Sequence, residues 1–328
     1  MPFSKSFGSG LYSLNKKEFN EIALEVFKFQ AVNNFIYKQY LNELSINPQD
    51  IKNVSQIPFL PISFFKNAPI MAEVWETEHI FESSGTTGMT SAKHHVRSLS
   101  FYKDHSLKLF EAAYGSVKGY HVMALLPSYL ERDNSSLVSM VDHLIRKSES
   151  PFSGFYLNDF DKLVLDLSKA AATDRHVILI GVSFALLDLL EYTQVDLKGH
   201  IVMETGGMKG RRKEMIREDL HGYLCKGFNV EKIHSEYGMT ELMSQAYSFG
   251  EGLYKSPATM RILIRDMYDP FDLSPNNKSG GINVIDLANI NTCSFIETSD
   301  IGVIRGEYFE VLGRFDNAET RGCNLLLS

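Results

Sequence analysis

Short apolar runs that alternate with amphipathic stretches constrain the fold of this chain more than any other feature. In the middle of the sequence the runs are His121–Leu126, His176–Ile180 and His200–Met203, and amphipathic stretches such as Phe184–Tyr192 separate them. Buried strands joined by crossover helices give this rhythm. We therefore predict an α/β sheet with flanking helices for this part of the chain.

The N-terminal region is predicted to begin with a helix. Apolar side chains recur there at the spacing of one buried helical face, and they are Phe19, Ile22, Ala23, Val26 and Phe27. Ser13 or Asn15 could cap this helix. Further along, Ile57–Lys66 contains two prolines three residues apart, which remove backbone donors and favour extended geometry. We predict a fixed, extended connector there.

The C-terminal region has a different pattern. After Ala258 the runs Met260–Ile264, Gly281–Asp286 and Ile301–Leu312 follow one another with little helical sequence between them. Such a succession is typical of antiparallel strands and hairpins. The last seventy or so residues are therefore predicted to be mainly β.

Composition and charge exclude several classes of protein. A chain of 328 residues with 44% hydrophobic residues can bury a large core. The net charge of −7 comes without a basic stripe, which disfavours nucleic acid and anionic membranes as partners. No segment gives the roughly 18 uninterrupted apolar residues of a membrane span. We expect a soluble, cytoplasmic protein with no membrane insertion.

The cysteines do not form a recognisable framework. Cys225, Cys293 and Cys323 are odd in number and lack C-x-x-C spacing. A disulfide scaffold or a structural zinc site needs paired spacings. All three are predicted to be free thiols.

One loop has the residues of a phosphate-binding site. Ser83–Lys93 combines two glycines, several hydroxyls and a lysine. Glycines let the backbone approach a phosphate, N–H groups and hydroxyls donate to its oxygens, and a lysine offsets its charge. The loop is not a Walker A motif, because no Gly-Lys-Ser/Thr follows the second glycine. A polar surface turn is the alternative for this cluster taken alone.

Three further motifs follow in a fixed order. They are Tyr237-Gly-Met-Thr-Glu241, Thr298-Ser-Asp-Ile-Gly302 and Gly313-Arg-Phe-Asp-Asn-Ala-Glu-Thr-Arg-Gly322. With the phosphate loop, this series resembles the adenylate-forming superfamily, which includes acyl-CoA synthetases. Ordered motifs are far more specific than any one of them, so the resemblance predicts a protein that uses ATP to activate a carboxylate.

Within that superfamily the chain resembles the acyl-protein synthetases, from the first helix through Ile57–Lys66 to the Arg-Gly-Cys end. The resemblance implies one domain with a helical region and connector at 1–66, an α/β core at 67–257 and a mainly β part at 258–328. It also implies mixed sheets like the N-terminal domain of adenylate-forming enzymes, with the usual small C-terminal domain absent. The substrates it implies are ATP with Mg²⁺ and a carboxylic, typically fatty, acid, and it implies a protein partner that accepts the acyl group.

The resemblance also assigns roles to residues. The β- and γ-phosphates of ATP would be held by Ser84, Gly85, Thr86, Thr87 and Gly88. The adenosine would be bound by Gly206, Gly207, Tyr237, Gly238, Asp300 and Arg314, with Tyr237 stacked on adenine and Asp300 on the ribose hydroxyls. Thr240 would donate to the α-phosphate, and Glu241 would hold Mg²⁺.

Two catalytic roles depend on residues near the ends of motifs. Lys93 would replace the adenylation lysine of the missing C-terminal domain, although it lies two residues further from Gly88 than in the usual Gly-x-Pro-Lys form. Cys323, directly after Arg321-Gly322, would accept the acyl group as a thioester before passing it to the partner. A thiolate attacks a mixed anhydride readily, and Arg321 could lower the pKa of the thiol. The alternative for Cys323 is a small packed hydrophobic residue.

Other readings of these residues stay open at this point. Tyr237 could be a core aromatic residue, Glu241 a charge at a helix N-terminus and Asp300 a turn residue. An adenylation-only enzyme, a CoA ligase or a non-catalytic ATP-binding protein would share the motifs. The alternative from another class is an α/β-hydrolase, because Gly181-Val-Ser-Phe-Ala185 follows a strand as a nucleophile elbow does, with Ser183 as its nucleophile.

Overall fold

The computed structural model describes residues 9–83, 91–126, 134–157, 159–206, 215–274 and 277–315. Within these ranges the helices are α1 Lys16–Asn33, α2 Phe35–Glu43, α3 Phe64–Asn67, α4 Leu99–Tyr114, α5 Ser136–Ser148, α6 Phe160–Ala171, α7 Ser183–Tyr192 and α8 Arg217–Phe228. The strands are β1 Leu60–Pro61, β2 His79–Glu82, β3 Lys93–Val96, β4 Tyr120–Leu125, β5 Gly154–Phe155, β6 His176–Gly181, β7 Ile201–Thr205, β8 His234–Tyr237, β9 Ala246–Ser248, β10 Leu253–Lys255, β11 Met260–Arg265, β12 Gly280–Asp286, β13 Phe295–Arg305 and β14 Tyr308–Arg314.

One large mixed sheet organises the described part of the chain. Its strands lie in the order β11-β12-β13-β14-β10-β9-β8-β7-β6-β4-β5, β1 pairs with β13, and β2 and β3 form a separate hairpin. Strands β4 to β8 pair in parallel. From β8 onward the pairings through β9, β10, β14, β13, β12 and β11 are antiparallel. The sheet therefore has a parallel half and an antiparallel half that meet at β8.

The parallel half confirms the predicted α/β pattern. The three apolar runs form β4, β6 and β7, and the amphipathic stretch after β6 forms α7. Strands β4 and β6 are almost wholly buried, as expected of central parallel strands covered on both faces. Their side chains belong to one hydrophobic cluster with α5, α6 and α7.

The N-terminal helices cover the antiparallel half. Asn15 caps α1 by accepting from the backbone N–H of Glu18, and the Glu18 carboxylate accepts from the Asn15 N–H, so Asn15 and not Ser13 is the cap. The buried face of α1 contains Phe19, Ala23, Val26 and Phe27, as predicted, whereas Ile22 is only partly buried. Phe27 meets Phe295 of β13 edge to face, with ring centroids 6.0 Å apart. The N-terminal region thus shares its core with the last strands of the chain.

Two predicted elements differ from the structure. The connector is extended at Ile57 and at β1, but it turns into α3 at Phe64. Pro61 restricts itself and its predecessor but not the residues that follow. The run predicted as Ile301–Leu312 is two strands, since β13 ends at Arg305 and β14 starts at Tyr308. Gly306 makes the hairpin turn with a φ of 64°, a conformation that glycine adopts without strain.

Candidate active site

Three predicted nucleotide-binding residues lie together where the two halves of the sheet meet. Tyr237 is the last residue of β8, and its hydroxyl donates to Oδ2 of Asp300 on β13 at 2.9 Å. Arg314, directly opposite Asp300 on β14, places Nε 3.4 Å from Oδ1 of the same carboxylate. Tyr237 and Asp300 are more than sixty positions apart in sequence, and the fold of the sheet brings them into contact, whereas Asp300 and Arg314 face each other across one hairpin.

The surroundings of Tyr237 combine packing with polar contact. Its ring lies against Phe309, with centroids 5.4 Å apart, and against Tyr254, at 5.8 Å. The ring belongs to the buried hydrophobic cluster of the antiparallel half. The Tyr237 hydroxyl, however, donates its hydrogen bond to Asp300 and so connects the ring to the candidate site.

Asp300 is a strand residue and not a turn residue. It lies within β13, next to an irregularity in the pairing with β14 between Ile301 and Gly302. Burial raises the pKa of Asp300, whereas Arg314 and the Tyr237 hydroxyl favour its charged form. A carboxylate held between a cation and a hydroxyl can accept hydrogen bonds from a diol.

Arg265 is a structural support of this site that the sequence analysis missed. It is 6% exposed, and it reaches from β11 across β12 to donate to the Thr298 carbonyl at 2.8 Å and the Ile282 carbonyl at 3.0 Å. A Cβ on Gly281 would lie 2.2 Å from the guanidinium carbon, so only glycine leaves room for this crossing. Arg265 also lies 3.6 Å from Glu297. It thereby fixes the stretch of β13 that leads to Asp300.

The backbone of the Thr240–Glu241 loop, which follows β8, is held by buried side chains. His94 Nδ1 lies 2.7 Å from the Thr240 carbonyl, and because a carbonyl only accepts, Nδ1 is the donor. The other ring nitrogen lies 3.1 Å from the Thr292 hydroxyl. Burial lowers the pKa of His94 to about 4, so the ring is neutral at pH 7. Asn289 donates to the Glu241 carbonyl at 2.8 Å. His94 had no motif that would have identified it.

Glu241 is a buried carboxyl with little compensation. Only 7% of the residue is exposed, and burial raises its pKa to about 7, with Arg314 and Lys66 opposing and Asp300 adding to the rise. It lies in a turn and not at the first turn of a helix, so the helix-terminus alternative is excluded. A buried carboxyl whose neighbouring cations do not offset the cost of burial is suited to a hard cation such as Mg²⁺. Within the described ranges no group of three or more His, Cys, Asp or Glu side chains is arranged to hold a metal.

The remaining predicted residues have less defined surroundings. Lys93, on β3, is more than half exposed, and its Nζ lies 3.7 Å from Glu82. Gly206 follows β7 with a φ of 66°. Gly238 follows Tyr237, and a Cβ there would meet Glu236 Oε1 at 2.3 Å. Predictions that lie outside the described residues concern Ser84, Gly85, Thr86, Thr87, Gly88, Gly207 and Cys323.

The geometry around Ser183 does not match a hydrolase. Its Oγ lies 2.8 Å from Glu204 Oε2 and 2.9 Å from the Gly206 carbonyl, which are both acceptors for its proton. His221 lies on the other side, with Nε2 3.2 Å from Glu204 Oε1. Within the described chain, the hydrogen bonds of Ser183 go to no histidine, and a nucleophilic serine needs a base beside it. Ser183 of α7 instead donates a hydrogen bond to the buried Glu204 of β7.

The fold is similar to that of adenylate-forming ligases. A 2-hydroxyisobutyryl-CoA ligase solved with an acyl-AMP ligand superposes with a TM-score of 0.68 at 10% identity, over 94% of this chain and 70% of that chain. MatB from Rhodopseudomonas palustris, solved with ATP, gives a TM-score of 0.52 at 18% identity, over 72% of this chain and 47% of its own. At such low identities the superpositions show the class of fold alone, a mixed-sheet architecture like that of these ligases.

The sequence defines the family within that class. The family described as acyl-protein synthetase, LuxE, matches residues 134–328, which is more than half of the chain. The protein therefore belongs to the acyl-protein synthetase family. A curated relative, the long-chain-fatty-acid–luciferin-component ligase of Vibrio harveyi, is 23% identical over 92% of this chain and 85% of its own length. No helix in the described residues is long and apolar enough to cross a membrane.

Proposed function

We propose that this protein is an acyl-protein synthetase that adenylates a carboxylic acid with ATP and then transfers the acyl group through a cysteine thioester. The observation that carries the proposal is the contact of Tyr237, Asp300 and Arg314 beside the Thr240–Glu241 loop, in a member of this family. An aromatic face, a carboxylate for a diol and a cation are the groups that adenosine phosphates require.

In the first step the substrate carboxylate attacks the α-phosphorus of ATP. A new P–O bond forms, the bond to the β-phosphate oxygen breaks, and pyrophosphate leaves with the bonding electrons, so that no proton is transferred. Asp300 would accept from the ribose hydroxyls and Arg314 would lie beside them. Tyr237 would present its ring to adenine near Gly206 and Gly207.

The phosphates would be bound by the loop of glycines and hydroxyls and by the segment after β8. The loop residues are Ser84, Gly85, Thr86, Thr87 and Gly88, and Lys93 follows them on β3. Thr240 would donate to the α-phosphate, where charge develops during the attack. Because His94 and Asn289 hold the carbonyls of Thr240 and Glu241, this segment is fixed before substrate binds.

Mg²⁺ is compatible with the residues present. The Glu241 carboxyl is buried and has a raised pKa, which a divalent cation would relieve. Mg²⁺ commonly uses one or two carboxylates together with substrate phosphates, and one carboxylate is what this site offers. When bound, the ion would draw charge from the phosphate oxygens, and the role of Glu241 is to hold it.

In the second step the Cys323 thiolate would attack the acyl carbonyl of the adenylate. A C–S bond forms, the C–O bond to AMP breaks and AMP leaves with the electron pair. The two described cysteines are poor nucleophiles, since burial raises the pKa of Cys293 to about 12 and also raises that of Cys225. Both are free thiols. We propose a fatty acid as substrate and a protein partner as final acceptor, by analogy with the Vibrio harveyi ligase.

A two-part experiment tests this function. Pyrophosphate release is measured across a panel of carboxylic acids of different chain length, and we expect it with one class of acid. The protein is then incubated with ATP and that acid in labelled form and treated with neutral hydroxylamine, which cleaves thioesters. Label that is lost in Cys323→Ser but kept in Cys225→Ser supports the proposal. Pyrophosphate release with none of the acids would refute adenylation, and undiminished label in Cys323→Ser would refute the cysteine.

A further inference from the structure

The connector before the phosphate loop is fixed against the strand that carries Asp300. Its strand β1 pairs in parallel with β13, with Leu60 opposite Ile296. The Ile62 N–H continues this pairing by donating to the Glu297 carbonyl at 2.9 Å. Helix α3 then begins within two residues. The position of α3 is therefore set by the same sheet that positions Asp300.

A chain of contacts joins α3 to the Thr240–Glu241 loop. Phe65 is 1% exposed and meets the His94 ring edge to face, with centroids 5.8 Å apart. His94 in turn contacts the Thr240 carbonyl. Lys66, the next residue of α3, is half-buried, and its ammonium lowers the pKa of Glu241 against the larger effect of burial. The positive charge of Lys66 therefore acts on the Glu241 carboxyl.

The other cations at the site are already paired. Arg314 lies against Asp300, Lys93 lies against Glu82, and Arg265 is buried against the carbonyls of β12 and β13. Among the residues described, Lys66 has no acidic partner within ion-pair distance. A triphosphate needs several positive charges, and a lysine ammonium is a compact donor on a flexible stem that can follow moving oxygens.

We propose that Lys66 is a further catalytic residue, which binds the ATP phosphates next to Glu241 and stabilises the charge that collects on the departing pyrophosphate. This role rests on the proposed adenylation. Because the reaction moves an electron pair and not a proton, Lys66 would act through its charge and not as an acid or a base. The chain then provides this cation from its N-terminal connector, more than 170 residues before the Tyr237–Glu241 motif.

Nucleotide binding and turnover in matched variants test this role. The variants are Lys66→Met, which keeps the aliphatic stem, Lys66→Arg, which keeps the charge, and the control Lys52→Met, which removes an exposed lysine before the connector. Calorimetry without acid gives the affinities for adenosine, AMP and ATP, and exchange of labelled pyrophosphate into ATP gives the rate with acid. We expect Lys66→Met to bind adenosine as wild type does, to bind ATP about tenfold more weakly, and to lose about 10²-fold in exchange rate.

The outcomes separate this inference from the function on which it rests. Lys66→Arg should recover part of both losses, and Lys52→Met should show neither. If Lys66→Met binds ATP and exchanges pyrophosphate like wild type, Lys66 is not catalytic although adenylation stands. If wild type shows no exchange with any acid, adenylation fails, and a selective loss of ATP over adenosine affinity in Lys66→Met still supports the phosphate contact. Equal losses for adenosine and ATP would indicate a structural role and overturn the proposal.

Discussion

The parallel and antiparallel halves of the sheet are stabilised in different ways. In the parallel half, successive strands and helices pack against near neighbours in sequence, and its cluster is built from β4, β6, β7 and the helices between them. The antiparallel half packs against helices from the N-terminal region, so it joins segments that are far apart in sequence. Gln30 of α1 donates to the Asn289 carbonyl at 3.0 Å, and Asn34 donates to the Thr292 carbonyl at 2.8 Å. The candidate site lies where these two kinds of structure meet.

The two halves of the sheet also differ in the groups that hydrogen-bond to their buried carboxylates. In the parallel half, the Glu204 carboxylate is hydrogen-bonded to side chains, namely His221, Ser183 and Ser235. In the antiparallel half, Asp286 accepts mainly from backbone N–H groups. The carboxyls nearest the junction, Glu236 and Glu241, have fewer partners, and burial raises the pKa of each to about 7. Buried carboxyl groups thus have several hydrogen-bond partners within each half and few at the junction, where a substrate would bind.

The largest effect is expected at the junction itself. Glu241→Gln keeps the volume of the side chain but removes the charge that would hold Mg²⁺, so acid-dependent pyrophosphate release should fall on the order of 10³-fold. Folding should be retained, because burial already penalises the charged form of this group. The rate is compared with that of Glu231→Gln, which changes an exposed glutamate. Wild-type activity in Glu241→Gln would show that Glu241 is not a ligand of Mg²⁺.

The antiparallel half should be the more sensitive to loss of its carboxylate. Asp286→Ala leaves the N–H groups of Met243, Ser244 and Ala288 without their buried acceptor. We expect the free energy of unfolding in urea to fall by about 3–5 kcal/mol. Asp174→Ala, at an exposed site, serves as the control. A loss below about 1 kcal/mol would mean that water replaces Asp286 without cost and that the two halves do not differ in this respect.

A smaller effect is expected at the ribose. Asp300→Ala should weaken ATP binding by about 1.5–3 kcal/mol, the range of hydrogen bonds to charged groups. Since that loss comes through the ribose hydroxyls, 2′-deoxy-ATP should lose little further affinity in the mutant. Calorimetric titration of both nucleotides into wild type, Asp300→Ala and the exposed control Asp50→Ala measures this. If the mutant still discriminates between them as wild type does, Asp300 has no contact with the ribose.

The sequence predicted the parallel half better than the antiparallel half for a physical reason. Strands β4, β6 and β7 are apolar runs whose neighbours are close in sequence, so their pattern alone identifies them. The pairing of β1 with β13 joins segments more than 230 residues apart, and no local pattern specifies it. The hairpin at Gly306 was missed because the turn between the two strands is only two residues long, so their apolar residues form a nearly continuous run.

The candidate site was predictable only where a motif marks it. Tyr237, Asp300 and Arg314 came from motifs, and their contact with one another follows from the sheet. His94 and Arg265 are single residues outside any motif, and Lys66 ends the predicted connector without a role of its own in the sequence. The importance of all three depends on long-range packing. The glycine pair Gly280-Gly281 is the one sequence feature connected with Arg265, since only the structure shows that the arginine crosses it. The roles assigned to the phosphate loop and to Cys323 stay predictions.

The last prediction concerns the junction without any substrate. Glu236 lies on β8 between Thr205 and Tyr247, which are its register partners on β7 and β9. The Thr205 hydroxyl donates to it at 2.6 Å. Burial raises its pKa to about 7, while the pKa of Tyr247 is raised so far that the phenol stays neutral. The folded state therefore binds a proton at Glu236 that the unfolded chain releases above its ordinary pKa of about 4.5.

It follows that Glu236 lowers the stability of the protein as pH rises from about 4.5 to 7, since the folded state binds more protons than the unfolded state in that window. Glu236→Gln imitates the protonated form. It should match wild type at pH 4.5 and exceed it at pH 8 by about 1–3 kcal/mol in free energy of unfolding. Urea denaturation of both proteins across this range, with the exposed Glu43→Gln as a flat control, measures the difference. A difference that does not grow with pH would mean that Glu236 is ionised in the folded state, and the junction would then hold a cation that neutralises it.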